Sequence, residues 1–222
     1  MRDRFNNIDR PIELPNEYHC CLTLIIDVSG SMEPHLPHVD ASVNRMIQEL
    51  RQDARLAKIV DMSIITFSDR GQHKLVQPFD SISRLPEVKL SLGGSTYAVD
   101  ALEMARANTS RQKFRYDSGC FKPWLVFITD GNIFDDLSEI GAKLRQDDAD
   151  GKYHVLCFGV GAGYEKKQLF MLSDKCFQIL NYNFSEFFSW IGRSQAALSV
   201  SVPGSNVGIS LSSSVKQLSI TA

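Results

Sequence analysis

Apolar segments of strand length alternate along this chain with amphipathic segments of helix length, the pattern of a parallel sheet covered by helices on both faces. Four short segments, Cys20–Asp27, Asp61–Phe67, Trp124–Thr129 and His154–Gly159, are rich in Val, Ile, Leu and Phe and apolar on both faces, as central strands are. Lys74–Phe79 is more polar, carries Pro78 and follows a short turn at Arg70-Gly71, which predicts an antiparallel edge strand. Cys176–Leu180 is expected to close the sheet. Val39, Val43, Met46, Ile47 and Leu50 recur at helical spacing, as do Ala98, Ala101, Leu102 and Ala105, then Leu137, Ile140 and Leu144. A fourth stripe, Phe184, Phe187, Phe188 and Ile191, is aromatic, and such stripes are far more often core than cofactor pocket. The expected fold is α/β, a Rossmann-like, doubly wound, mostly parallel sheet with helices on both faces.

Length is compatible with one sizeable core, since the chain has 222 residues of which 43% are hydrophobic. Residues 19–204 read as the domain, 1–18 as a charged N-terminal extension, and 205–222 as a Ser-rich tail that forms either an extra edge strand or no structure. A formal net charge of -2 gives no electrostatic case for nucleic acid or an anionic membrane as partner. The N-terminus lacks the apolar stretch of a secretory signal, and no run approaches the roughly 20 residues that span a bilayer. Five cysteines, Cys20, Cys21, Cys120, Cys157 and Cys176, form an odd set without a C-x-x-C pair. Reduced thiols packed as small hydrophobes fit the cytoplasm, and the spacing does not favour a Cys/His zinc site.

Chemistry concentrates at the ends of the predicted strands. The first ends in Asp27-Val28-Ser29-Gly30-Ser31, placing three oxygen side chains on one tight turn. Gly93-Gly94-Ser95-Thr96 leads into a later helix, and Thr129-Asp130-Gly131 ends another strand. In doubly wound sheets ligands collect outside the carboxyl ends of the strands, so these three junctions face one edge. Asp27, Ser29, Ser31, Thr96 and Asp130 then supply two carboxylates and three hydroxyls, an all-oxygen set suited to a hard divalent cation such as Mg²⁺, with Mn²⁺ or Ca²⁺ as alternatives. Two carboxylates balance the cation while weakly donating hydroxyls leave it electrophilic toward an Asp or Glu from a protein partner. Gly30, Gly94 and Gly131 are expected to permit close backbone approach. Taken singly, each element is ambiguous: Ser29 or Ser31 could cap the first helix and Thr96 the helix beginning near Ala98.

The three elements together resemble the metal-ion-dependent adhesion site of von Willebrand factor type A domains. LIIDVSGSM, NRMIQELRQD, DMSIITF and FSEFFSW are in addition similar to the TerY proteins of tellurite resistance, small free-standing bacterial members of that family. The resemblance, running from about His19 to about Gly204, implies that Ser29, Ser31 and Thr96 bind the metal directly and Asp27 and Asp130 directly or through water. It also implies an adaptor or scaffold in a stress or tellurite-resistance system, beside a protein kinase and a PP2C-like phosphatase. Met32, Tyr97, Asn132 and Phe134 flank the ligands and are candidates for a partner-contacting rim.

Rival functions need features that are weak here. A metal-dependent hydrolase or phosphatase using the same site would make Ser29 or Ser31 a nucleophile, but neither lies in G-x-S-x-G. The nearest histidines, His35 and His38, fall in a Pro-punctuated stretch read as an exposed lead-in to a helix. Gly159-Val160-Gly161-Ala162-Gly163 lacks the G-x-G-x-x-G spacing and a P-loop lysine, so it predicts a tight strand-to-helix turn rather than a nucleotide site. An extracellular adhesin would share the metal site, and only the missing signal and unpaired cysteines argue against it.

Overall fold

A computed structural model of the chain describes residues 18–116, 119–201 and 210–219. Seven strands form one sheet in the order β3-β2-β1-β4-β5-β6-β7. They are β1 (Cys20–Asp27), β2 (Val60–Phe67), β3 (Lys74–Ser81), β4 (Trp124–Thr129), β5 (His154–Val160), β6 (Cys176–Ile179) and β7 (Val215–Gln217). β2, β1, β4, β5 and β6 run parallel, while β3 and β7 are antiparallel edges. The helices are α1 (Leu36–Arg51), α2 (Leu56–Ile59), α3 (Val99–Arg115), α4 (Ser138–Ala149), α5 (Lys166–Leu172) and α6 (Phe184–Ser199).

Residue alternation along the central strands divides the core in two. Leu22, Leu24 and Ile26 of β1, with Met62 and Ile64 of β2 and Val126 and Ile128 of β4, pack beneath Val39, Val43, Met46, Ile47 and Leu50 of α1 and Phe184, Phe187, Phe188 and Ile191 of α6. On the opposite face Ile25, Ile65, Phe67 and Phe127 meet Ala101, Leu102 and Ala105 of α3, Ile140 and Leu144 of α4, and Leu169 and Leu172 of α5. Strands with helices on both sides have no solvent face, which is why they are apolar throughout. Each fully buried Leu, Ile or Phe contributes about 1.5–3 kcal/mol through burial.

β3 is the expected antiparallel edge, and Gly71 in the preceding turn adopts φ +73°. Cys176–Leu180 does not terminate the sheet, because β7 from the Ser-rich segment adds beyond β6, pairing Phe177 with Gln217 and Ile179 with Val215. Of the two readings left open for that segment, residues 215–217 therefore take the edge-strand one. The N-terminal extension up to residue 17, and residues 205–209 and 220–222 of the tail, lie outside the described residues. Of the two histidines expected in an exposed lead-in, His38 is exposed and His35 is partly buried. His35 precedes α1 and stacks on Tyr182 at 4.1 Å between ring centroids, and His38 lies within α1 itself.

Candidate metal centre

The order of strands reverses around β1, whose neighbours β2 and β4 carry the chain to opposite faces, so a crevice opens at their carboxyl ends. Asp27 is the last residue of β1 and Asp130 directly follows β4. Ser29 and Ser31 are held on the turn after β1 by a short 3-10 helix, Gly30–Met32. Thr96 stands in the loop before α3. Backbone hydrogen bonds lash these segments together: Gly93 N–H donates to the Val28 carbonyl at 2.7 Å, Gly30 N–H to the Gly94 carbonyl at 2.7 Å, and Phe134 N–H to the Thr96 carbonyl at 2.9 Å.

Side chains close the cluster. The Ser31 hydroxyl donates to Asp130 Oδ1 at 2.6 Å, and Ser29 Oγ lies 3.3 Å from Ser31 Oγ. A Cβ placed on Gly131 would lie 3.4 Å from Thr96 Oγ1 and 3.6 Å from Ser31 Oγ, so all three junctions meet at this glycine. The fully buried Asp27 accepts from the Ser29 amide at 2.8 Å through Oδ1 and from the Thr129 hydroxyl at 2.6 Å through Oδ2. Both its oxygens are thus oriented by the protein. Burial pushes the Asp27 carboxyl up to about 6; the hydrogen bonds from Ser29 and Thr129 oppose the rise and the nearby Asp130 charge adds to it.

Capping does not account for these residues. Neither Ser29 nor any other side chain caps the 3-10 helix, and α1 begins only at Leu36 after His35. The first amides of α3, Ala98 and Val99, are bound by the Asp135 carboxylate at 2.6 and 2.9 Å, leaving the Thr96 hydroxyl without a capping role. The five oxygen side chains nominated by sequence are therefore brought to one place with their hydroxyls uncommitted to helix ends. Two carboxylates, one buried in a way that disfavours its charge, and three hydroxyls fit a hard divalent cation. Among the described residues no group of three or more His, Cys, Asp or Glu is arranged to hold a metal ion.

Several supporting residues carry no local signal. Asp69 accepts from the amides of Gly94 at 3.1 Å and Ser95 at 2.8 Å, fixing the loop that presents Thr96, and these bonds hold its own carboxyl below the ordinary range. A Cβ on Gly94 would come within 2.7 Å of that carboxylate, and one on Gly163 within 2.7 Å of the Asp130 carbonyl. Close approach is thus required at Gly94, whereas Gly30 and Gly131 meet only ordinary contacts. The Gly159–Gly163 run is a packed turn against the Asp130 loop. Of the flanking residues, Tyr97 is half-buried and Asn132 and Phe134 are exposed, but Met32 has no exposed surface and belongs to the core. Its place in the rim is corrected: the 3-10 turn points this side chain inward, against the α1 side of the sheet.

The family model for the von Willebrand factor type A domain matches residues 22–192. No curated protein matches the sequence. Among solved structures, proximal thread matrix protein 1 from the mussel byssus, with a zinc-occupied MIDAS motif, aligns at 18% identity and a TM-score of 0.57, covering 80% of this chain and 46% of that one. A von Willebrand factor type A protein from Catenulispora acidiphila aligns at 16% identity and TM-score 0.58, over 82% and 43% of the two chains. The pilus adhesin SpaC of Lactobacillus rhamnosus GG aligns at 13% identity and TM-score 0.65, over 83% and 31%. This chain spans less than half the length of each of these proteins, and at such identities the likeness is one of fold.

Proposed function

Since this chain belongs to the von Willebrand factor type A domain family, we propose that it is a metal-dependent protein-binding module whose cation is held by Asp27, Ser29, Ser31, Thr96 and Asp130. The observation that carries the reading is the meeting at Gly131 of three separate loops, those after β1 and β4 and the one before α3, with Ser31 joined to Asp130 and Asp27 oriented by Ser29 and Thr129. Because both Asp27 oxygens already accept hydrogen bonds, this carboxylate supplies charge from beneath, while Ser31 is exposed, Asp130 is half-exposed, and the hydroxyls of Ser29 and Thr96 lie buried beside them. Bound there, a divalent cation supplies an electrophilic centre for an anionic oxygen, and a partner's Asp or Glu provides it.

Mg²⁺ is the proposed cation, with Mn²⁺ and Ca²⁺ as alternatives; the zinc occupancy of the mussel protein's motif makes Zn²⁺ a fourth to compare. An adaptor role without catalysis is favoured because Ser31, whose hydroxyl donates to Asp130, has no base oriented by a third group, and His35 is engaged in a stack with Tyr182. Resemblance to TerY proteins supports placement in a bacterial stress or tellurite-resistance system, with an accompanying kinase and PP2C-like phosphatase as candidate partners. A cytoplasmic location accords with five free cysteines, four of them buried. No helix among the described residues is long and apolar enough to cross a membrane.

Titration calorimetry with Mg²⁺, Mn²⁺, Ca²⁺ and Zn²⁺ tests the central claim. Saturable binding of one ion that is lost in Asp130→Ala is expected; no heat at millimolar metal would sink it. Purified chain should also lack hydrolase, kinase and phosphatase turnover, and a turnover abolished by Ser29→Ala would favour the enzyme alternative.

A further inference from the structure

Beside the candidate metal centre, three side chains from three different loops form a row on the surface. The guanidinium of Arg70 lies 5.0 Å from the centre of the Tyr97 ring, and Tyr97 meets Phe134 at 5.6 Å between centroids. Phe134 is 64% exposed, the largest apolar exposure of any aromatic near the site. A solitary exposed aromatic is ordinary in soluble proteins. What distinguishes this one is that each member of the row is one or two residues from a bond that builds the metal centre. Tyr97 follows Thr96, and its amide donates to the Ser68 carbonyl at 2.7 Å; the Phe134 amide donates to the Thr96 carbonyl; and Arg70 follows Asp69, which clamps Gly94 and Ser95.

Charge sharpens the reading. The two carboxylates next to the row in sequence, Asp69 and Asp135, are committed to backbone amides. Arg70 is exposed and forms no salt bridge with any carboxylate of the described residues, whereas Arg84 and Arg106 are each paired. An unpaired guanidinium held against an aromatic ring is a preorganised fork for a carboxylate, since the stack limits the rotamer freedom that binding would otherwise remove. With the cation at the five-oxygen site, the surface presents two positive centres and an exposed ring.

We propose that the Arg70–Tyr97–Phe134 row is the specificity surface of the metal centre and receives an acidic protein segment bearing two carboxylates, one for the cation and one for Arg70, with an apolar side chain on Phe134. The inference rests on the metal-dependent reading above and adds to it the second anchor and the apolar contact. Arginine and aromatic residues dominate interface energetics in this way when they surround a buried centre.

The test is selection of a phage-displayed random dodecapeptide library on the immobilised full chain in Mg²⁺, with release by EDTA. Released peptides are expected to carry two acidic residues and an aliphatic or aromatic one. A synthetic peptide from that pool should bind wild type and lose about tenfold or more in affinity for both Arg70→Ala and Phe134→Ala, a loss of about 1.4 kcal/mol or more. Neutralising the peptide's second carboxylate should weaken binding to wild type and leave Arg70→Ala unchanged, as a double-mutant cycle requires. Metal affinity by calorimetry should be the same in both variants, which also shows that they fold. Equal peptide affinity for wild type, Arg70→Ala and Phe134→Ala overturns the surface while leaving the metal site intact. Enrichment of peptides without acidic residues, or none released by EDTA from a metal-binding chain, overturns the acidic partner. Failure of the chain to bind any of the metals instead removes the reading on which the inference rests.

Discussion

Replacing Thr96 by Ala separates the metal centre from the fold that carries it. Thr96 is 5% exposed, and the N-terminus of α3 is satisfied by Asp135 rather than by its hydroxyl. Without metal the substitution therefore removes a methyl group and an uncommitted hydroxyl, costing about 1 kcal/mol, or about 2–4 °C in Tm for a chain of this size. With metal at 100 times its Kd, the wild type gains about 2.7 kcal/mol by mass action, a rise of about 5–10 °C. If the lost hydroxyl raises Kd about 100-fold, the same metal concentration gives the variant only about 0.4 kcal/mol, from the logarithm of two in the same relation. Asp135→Ala is the matched control for capping: it removes two carboxylate-to-amide bonds at the start of α3 and should cost about 1–2 kcal/mol with or without metal. Differential scanning calorimetry of wild type, Thr96→Ala, Thr96→Ser and Asp135→Ala, each with and without Mg²⁺, reads all four. Thr96→Ser should regain most of the metal-induced rise. The reasoning fails if Thr96→Ala keeps the full rise, since its loop would then lie outside the metal's coordination sphere.

Acid should destabilise the chain through the far end of α4. Burial alone would raise Asp147, but hydrogen bonds from Arg106, Lys152 and Tyr153 outweigh it and hold the carboxyl down at about 2. Its folded value lies below the usual 3.8, so its contribution is complete above about pH 4 and disappears as pH falls toward 2; thermal melts of wild type and Asp147→Asn should converge over that window, and parallel curves would refute it. Gly163→Ala should push the Asp130 carbonyl away from its 2.7 Å clash and weaken metal binding severalfold by calorimetry, with unchanged affinity contradicting the packing assignment. Phe188→Ala, at a fully buried site between α6 and the sheet, should cost about 3–5 kcal/mol in urea unfolding, and a loss below about 1 would show that α6 is not core. In native chain a thiol reagent should label Cys120 first, because the other four cysteines are buried; fast labelling of Cys157 or Cys176 would contradict the sheet order that covers them.

The central strands and helix stripes were legible because burial on two faces and on one helical face leave different periods in sequence. Four of the five oxygens of the candidate site were legible for a related reason: Asp27, Ser29, Ser31 and Asp130 sit at or just after the ends of β1 and β4, where an apolar run stops on a carboxylate or hydroxyl, whereas Thr96 stands in the long loop between β3 and α3 and was marked only by the glycine pair before it. Asp69 and Asp135 were not, since each holds a loop more than twenty residues away in the chain, 25 between Asp69 and Gly94 and 37 between Asp135 and Ala98. A surface Asp in a turn looks the same whether it binds an amide or water. Met32 misled because proximity in sequence to Ser31 was equated with proximity on the surface, and a 3-10 turn sends adjacent side chains in different directions. β7 hid because three residues of an edge strand, half exposed and flanked by serines, carry too little alternation to separate from a coil.

Why the metal centre lies at this place follows from the sheet order. Placing β1 between β2 and β4 forces the connections after β1 and β4 to diverge, which opens a crevice at the strand ends. Asp27 reaches that crevice from below with no exposed surface, and burying an unneutralised carboxylate there is unfavourable enough to raise its proton affinity. Thr129 and the Ser29 amide offset part of this, yet each is a neutral donor. On the proposed reading a cation would complete the compensation, and its charge, only partly balanced by Asp130, would leave attraction for an outside carboxylate. On this argument the proposed binding role and the buried aspartate are linked: Asp27→Asn should stabilise the metal-free chain, by removing the buried charge while its carbonyl oxygen still accepts from the Ser29 amide and its NH2 donates to the Thr129 hydroxyl, and should weaken cation binding together with the metal's stabilising effect. A variant that is both less stable without metal and equally stabilised by it would show that the Asp27 charge is balanced within the protein, and that the crevice does not need a cation to exist.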